Sequence, residues 1–112
     1  MTSVLRVSQA DRARWQRQAA AELCRILDDC AGLPPIAWTV GPAGCLLAGR
    51  ISGLAPPGQV RAAFAAWRAA LALEDHREQP GGGGTVHLHA AARRDGVKIR
   101  VTATIFEAGE DR

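Results

Sequence analysis

"TVHLHAAARRDGVKIRVTATIF", residues 85–106, is the stretch whose reading decides the fold. Asp95-Gly96 is a strong signal for a two-residue type I′ turn, which needs positive φ at both central positions. Closing that turn pairs Arg94 with Val97, and the register follows. Ala92 faces Ile99, Ala90 faces Val101, Leu88 faces Ala103 and Val86 faces Ile105, so every pair on this face is apolar. The other face pairs Arg93 with Lys98, Ala91 with Arg100, His89 with Thr102 and His87 with Thr104. A one-residue slip would set His89 against Val101 and mix the faces, which burial of one face disfavours. The alternation of histidines is therefore what core packing leaves over.

Working outward, "QPGGGG" at residues 79–84 reads as a flexible connector that cannot continue a helix. Before it, Val60, Phe64, Trp67 and Leu71 recur at helical spacing, joined by Ala63 and Ala70. Pro57 suits the first turn of that helix. Earlier still, Ile36, Trp38 and Val40 alternate ahead of "GPAG", which predicts a hairpin with Val40 opposite Cys45 and Trp38 opposite Leu47. The first helix is expected over residues 9–31. Ser8 is its N-cap and Asp11 follows three residues on, while Trp15, Ala19, Leu23, Ile26, Leu27 and Cys30 form its apolar stripe. Gly32, Pro34 and Pro35 end it. Residues 1–7 read as a tail or a short edge strand.

The order α-β-β-α-β-β predicts a two-layer α+β domain over residues 1–112, with two helices on one face of a four-stranded, mainly antiparallel sheet. Trp15, Trp38 and Trp67 all fall on inward faces and are expected together in the core.

The chain has 112 residues, a formal charge of +3 and 47% hydrophobic residues, which suits one globular domain and argues against disorder. Cys24, Cys30 and Cys45 form no CxxC pair. Cys24 and Cys30 would lie about 9 Å apart along a helix, beyond disulfide reach. With no signal-peptide pattern and no apolar run of membrane-spanning length, a reducing cytoplasm is the expected compartment.

Chemistry has few places to sit. His87 and His89 are a His-x-His pair that could supply two metal ligands, but zinc needs at least a third, and Thr102 and Thr104 are poor donors. The acidic residues cluster at element ends, at Asp28-Asp29, at Glu74-Asp75 and in the tail (Glu107, Glu110, Asp111). The serines lack an evident His or acid partner, and "PGGGGT" lacks the lysine and helix of a phosphate loop. The expectation is thus a non-catalytic protein with no cofactor and no membrane role.

Two binding classes remain. The outward sheet face, with His87, His89, Arg100, Thr102, Thr104 and Phe106, is small-featured and half-apolar. It suits a protein partner or a homodimer formed through that face or an edge strand. The alternative is a nucleic-acid-binding regulator using Arg12, Arg14, Arg17, Arg50, Arg93 and Lys98, although no base-stacking motif or helix-turn-helix spacing accompanies them.

Residues 33–106, with "WTVGPAGCLLAG" and "FAAWRAAL" as their recognisable parts, resemble a group of small actinobacterial proteins often linked to mobile elements or phage. The resemblance implies a bacterial cytoplasmic protein and transfers no activity or active-site residue.

Overall fold

The computed structural model describes residues 8–41 and 45–106. The expected tail at residues 1–7, part of the "GPAG" turn and the acidic residues after Phe106 lie outside them. Among the described residues two helices, α1 (Gln9–Asp29) and α2 (Pro57–Ala70), accompany five strands. These are β1 (Ala37–Val40), β2 (Leu46–Ile51), β3 (Arg77–Pro80), β4 (Thr85–Arg94) and β5 (Val97–Phe106). The sheet order is β1-β2-β5-β4-β3.

The α+β class is as the sequence implies, but among the described residues the sheet has five strands rather than four and is mixed. The stretch expected as a flexible connector begins inside β3 and continues into a 3-10 turn at Gly82–Gly84. Thr85 holds that turn by donating its hydroxyl to the Gly82 carbonyl at 2.8 Å. The extra strand explains the mixed topology. After β2, helix α2 returns along the sheet, so the next strand, β3, runs parallel to β2. β4 then reverses and β5 reverses again. β5 therefore runs parallel to β2 and pairs with it, Leu47 opposite Ile99 and Gly49 opposite Val101.

The β4–β5 register matches expectation pair for pair, from Arg94 opposite Val97 to Val86 opposite Ile105. Asp95 and Gly96 both have positive φ, 50° and 81°, as a type I′ turn demands. The β1–β2 register is offset by two residues from the expected one: Val40 faces Leu47 and Trp38 faces Gly49. Cys45 does not pair with Val40, because its carbonyl instead accepts from the Lys98 N–H at 2.8 Å and extends the β2–β5 ladder. An offset of two keeps every side chain on its expected face. Gly49 is needed there, since a Cβ would meet the Trp38 ring at 3.1 Å and Ile36 at 2.8 Å.

The core lies between the helices and the inward face. Val60, Phe64 and Trp67 of α2 and its C-cap residue Leu71 are all buried, with Leu47, Leu88, Val97, Ile99, Val101 and Ile105 beneath them. Each such side chain contributes roughly 1.5–3 kcal/mol of burial. Trp67 and Trp38 pack edge to face with centroids 5.7 Å apart, and the Trp67 indole donates to the Pro34 carbonyl at 2.8 Å.

α2 ends without a glycine. Leu73 N–H donates to Arg68 O at 3.0 Å and Ala72 N–H to Ala69 O at 3.2 Å, the two bonds of a Schellman cap. Ala72 takes the left-handed position at φ 53°. Buried Leu73 supplies the accompanying apolar contact.

α1 departs from its expected stripe. The Ser8 hydroxyl caps it by accepting from Asp11 N–H at 3.0 Å. Ala19 and Ile26 are buried, but Leu27 is 49% exposed and Glu22 is only 1% exposed. Glu22 is held by Arg25 of the next turn and by Arg94 of β4, whose Nε lies 3.2 Å away. Gln18 donates to the Asp95 carbonyl at 2.9 Å, which ties α1 to the β4–β5 turn. Trp15, expected beside Trp38 and Trp67, instead lies half-buried over the turn end of the sheet with Cys45, Leu46 and Lys98. No helix among the described residues is long and apolar enough to cross a membrane.

Candidate functional site

Strand alternation fixes what the uncovered face displays. Register places Ala37 and Thr39 of β1, Leu46, Ala48 and Arg50 of β2, and Lys98, Arg100, Thr102, Thr104 and Phe106 of β5 on one side. Thr85, His87, His89, Ala91 and Arg93 of β4 join them, with Arg77 and Gln79 of β3. Ala19 and Ile26 of α1 and Val60, Phe64 and Trp67 of α2 are buried on the opposite side.

The charge on this face has a single sign. Arg50, Arg77, Arg93, Lys98 and Arg100 stand at outward strand positions, and among the described residues no Asp or Glu does. Among the described residues, Arg77 has a carboxylate beside it, bonding Asp75 from the neighbouring loop at 3.2 Å. The acidic residues of the sheet and helices go elsewhere. Glu78, one position on, faces inward and takes two bonds from Arg61 of α2 at 3.2 and 3.1 Å. That guanidinium holds the Glu78 carboxyl below its ordinary value of 4.5. Outward rows lie about 6.7 Å apart along a strand, and five strands span about 19 Å. The basic groups therefore run from Arg93 and Lys98, side by side at the turn end, through Arg100 one row on, to Arg50 and Arg77 on either side of His89 and Thr102 in the next row.

The histidines sit in the middle of this surface. His87 Nδ1 lies 3.1 Å from the Thr104 hydroxyl. Gly81 covers its ring so closely that a Cβ there would collide with His87 and Thr85. His89 lines a depression of about 470 Å3 with Arg50, Arg100 and Thr102, and its Nδ1 is buried without a hydrogen-bond partner. Among the described residues no group of three His, Cys, Asp or Glu side chains could hold a metal ion.

The expected site residues separate into two groups. Arg50, Arg93 and Lys98 share the face with His87, His89, Arg100, Thr102, Thr104 and Phe106. Phe106 is 56% exposed at its far end. Arg12, Arg14 and Arg17 are exposed on α1, a different element. Arg14 bonds Asp11 at 2.8 Å, and Ser8 together with Arg14 holds the Asp11 carboxyl below its ordinary value of 3.8.

Sequence reasoning missed two contributors. Arg77 is hidden because β3 is a four-residue strand with no apolar alternation, and its second half, Gln79 and Pro80, reads as linker. Trp15 was assigned to the core by its helical spacing. It lines a notch of about 400 Å3 with Leu46, Arg93, Lys98 and Arg100. The signal lay in its surroundings: Arg14, Gln16, Arg17 and Gln18 flank it, whereas alanines and leucines surround the buried turns further along.

No protein-family model matches this chain, and no curated protein matches it as a relative.

Proposed function

We propose that this is a non-catalytic binding protein whose open sheet face engages an acidic partner, with nucleic acid the partner that the face fits best. The observation that carries this is the single sign of the charge at outward strand positions: five basic side chains and, among the described residues, no carboxylate, with Asp75 reaching Arg77 from the neighbouring loop. A sheet face that is merely solvated mixes both signs, because like charges placed across strands repel. A polyanion offsets that repulsion through counterion release. The same charge opposes self-association through this face, since two copies would bring ten cations together.

The test is fluorescence anisotropy with random single- and double-stranded oligonucleotides at 50 and 200 mM salt. With four phosphates neutralised by Arg50, Arg93, Lys98 and Arg100, the single-strand slope of log affinity against log salt is about −2.8. That corresponds to roughly 50-fold weakening over this range. No binding at 50 mM salt refutes the reading.

A second reading concerns self-association and rests on the sheet edges. β3 is guarded by Arg77, Glu78 and Pro80, whereas β1 offers Ala37–Val40 with no charge and no proline. Two β1 strands paired about a two-fold axis would extend the sheet and double its basic face. Light scattering at micromolar concentration then reads a dimer, and Thr39→Pro returns it to monomer. A wild-type monomer removes this reading.

A further inference from the structure

We infer that the notch between α1 and the turn end of β4–β5 is a subsite for one unpaired base and its adjoining phosphate, with Trp15 as the stacking surface. This deepens the nucleic-acid reading and rests on it.

Three observations converge on the notch. The first is its chemistry. Trp15 and Leu46 supply apolar surface, while Arg93, Lys98 and Arg100 supply three cations, all around one opening of about 400 Å3. An aromatic ring flanked by fixed cations matches a nucleotide, whose base presents a flat π-face and whose phosphate is anionic.

The second is the placement of the ring. Trp67 and Phe64 are buried, and Trp38, itself half-buried, packs edge to face on Trp67 on the helix-covered side of the sheet, away from the basic face. Trp15 is the tryptophan at the rim of the basic face. Its backbone is anchored, because the Cys45 thiol donates to the Trp15 carbonyl at 3.7 Å. Gln18, in the next turn, bonds the Asp95 carbonyl. A ring held on an anchored backbone loses little further freedom on binding.

The third is direction. Lys98 and Phe106 lie at opposite ends of the outward row of β5, about 27 Å apart, with Arg100, Thr102 and Thr104 between them. A single strand entering at Trp15 runs over cations towards a second exposed ring. A duplex keeps its bases paired and cannot offer one to Trp15, so the subsite selects single strands.

The experiment measures anisotropy of a labelled 12-residue oligothymidylate and of a 12-base-pair duplex, together with intrinsic tryptophan emission, at 50 mM salt. The expected results are tighter binding of the single strand and quenching of emission as it binds. Trp15→Leu weakens single-strand binding roughly 5- to 150-fold and leaves duplex binding as it was. Trp15→Phe retains most of the binding and loses most of the quenching, which decides the matter if Trp15→Leu does not fold.

If both variants bind like wild type and Lys98→Glu abolishes binding, the stacking subsite is wrong while the basic-face reading stands. If wild type binds neither oligonucleotide, the nucleic-acid reading itself fails. If polyglutamate binds as tightly as the oligonucleotide and ignores Trp15, the partner is an acidic protein and the subsite is overturned.

Discussion

Glu22→Ala should be the most damaging single change on α1. The carboxylate is 1% exposed and ties two arginines from different elements, Arg25 on α1 and Arg94 on β4. A hydrogen bond to a charged group contributes about 1.5–3 kcal/mol, and breaking a buried ion pair costs about 3–5 kcal/mol. Both partners reach solvent, Arg25 at 57% and Arg94 at 36% exposure, so water rescues part of their charge once Glu22 is gone. The net loss is then about 2–4 kcal/mol. For 112 residues the unfolding entropy is about 0.24 kcal/mol/K, so each kcal/mol lowers Tm by about 4 °C. Thermal unfolding by circular dichroism should show a drop of about 8–16 °C. Asp75→Ala, which breaks an exposed pair with Arg77, serves as control and should stay within about 0.5 kcal/mol. The double variant Glu22→Leu with Arg94→Leu should recover much of the loss, because an apolar pair leaves no charge behind. A Tm change below 2 °C for Glu22→Ala would refute the reasoning, since it would mean that the carboxylate is not desolvated in the folded protein.

Local geometry sets two further outcomes. Ala72 occupies the left-handed position of the α2 cap, where a Cβ is unfavourable, so Ala72→Gly should stabilise by about 0.5–1 kcal/mol in urea unfolding; a destabilised variant would contradict the cap. Asp11 and Glu78 titrate below their ordinary values of 3.8 and 4.5, so their contribution is present at neutral pH. It is lost as pH falls from about 4.5 through the depressed folded values. Urea midpoints should decline across that window, and Glu78→Gln should flatten the decline; an unchanged slope would count against the Arg61 pair.

Where local rules and tertiary packing agree, the sequence was readable. The Asp95-Gly96 turn, the apolar pairing across β4–β5 and the α2 stripe are each set by neighbours in the chain, so the register and inward face emerged from alternation and helical spacing alone. That also placed His87, His89, Arg93, Lys98 and Arg100 on one outward face. What escaped depended on contacts distant in sequence. β3 is too short and too polar to announce itself, and it exists because β4 offers an edge to pair with. Its presence reverses the direction of β4 and β5 and makes β2–β5 parallel. Helical spacing shows which side of α1 faces the sheet but not where along α1 the sheet ends. Trp15 therefore fell at the rim and Glu22 in the core, where Arg94 makes its burial tolerable. The sequence by itself determined the two helices, the two long strands and the sidedness of the sheet, because those are short-range periodicities. Tertiary structure alone decided strand order and which charges are buried or gathered, because those depend on which edges and ends meet in space.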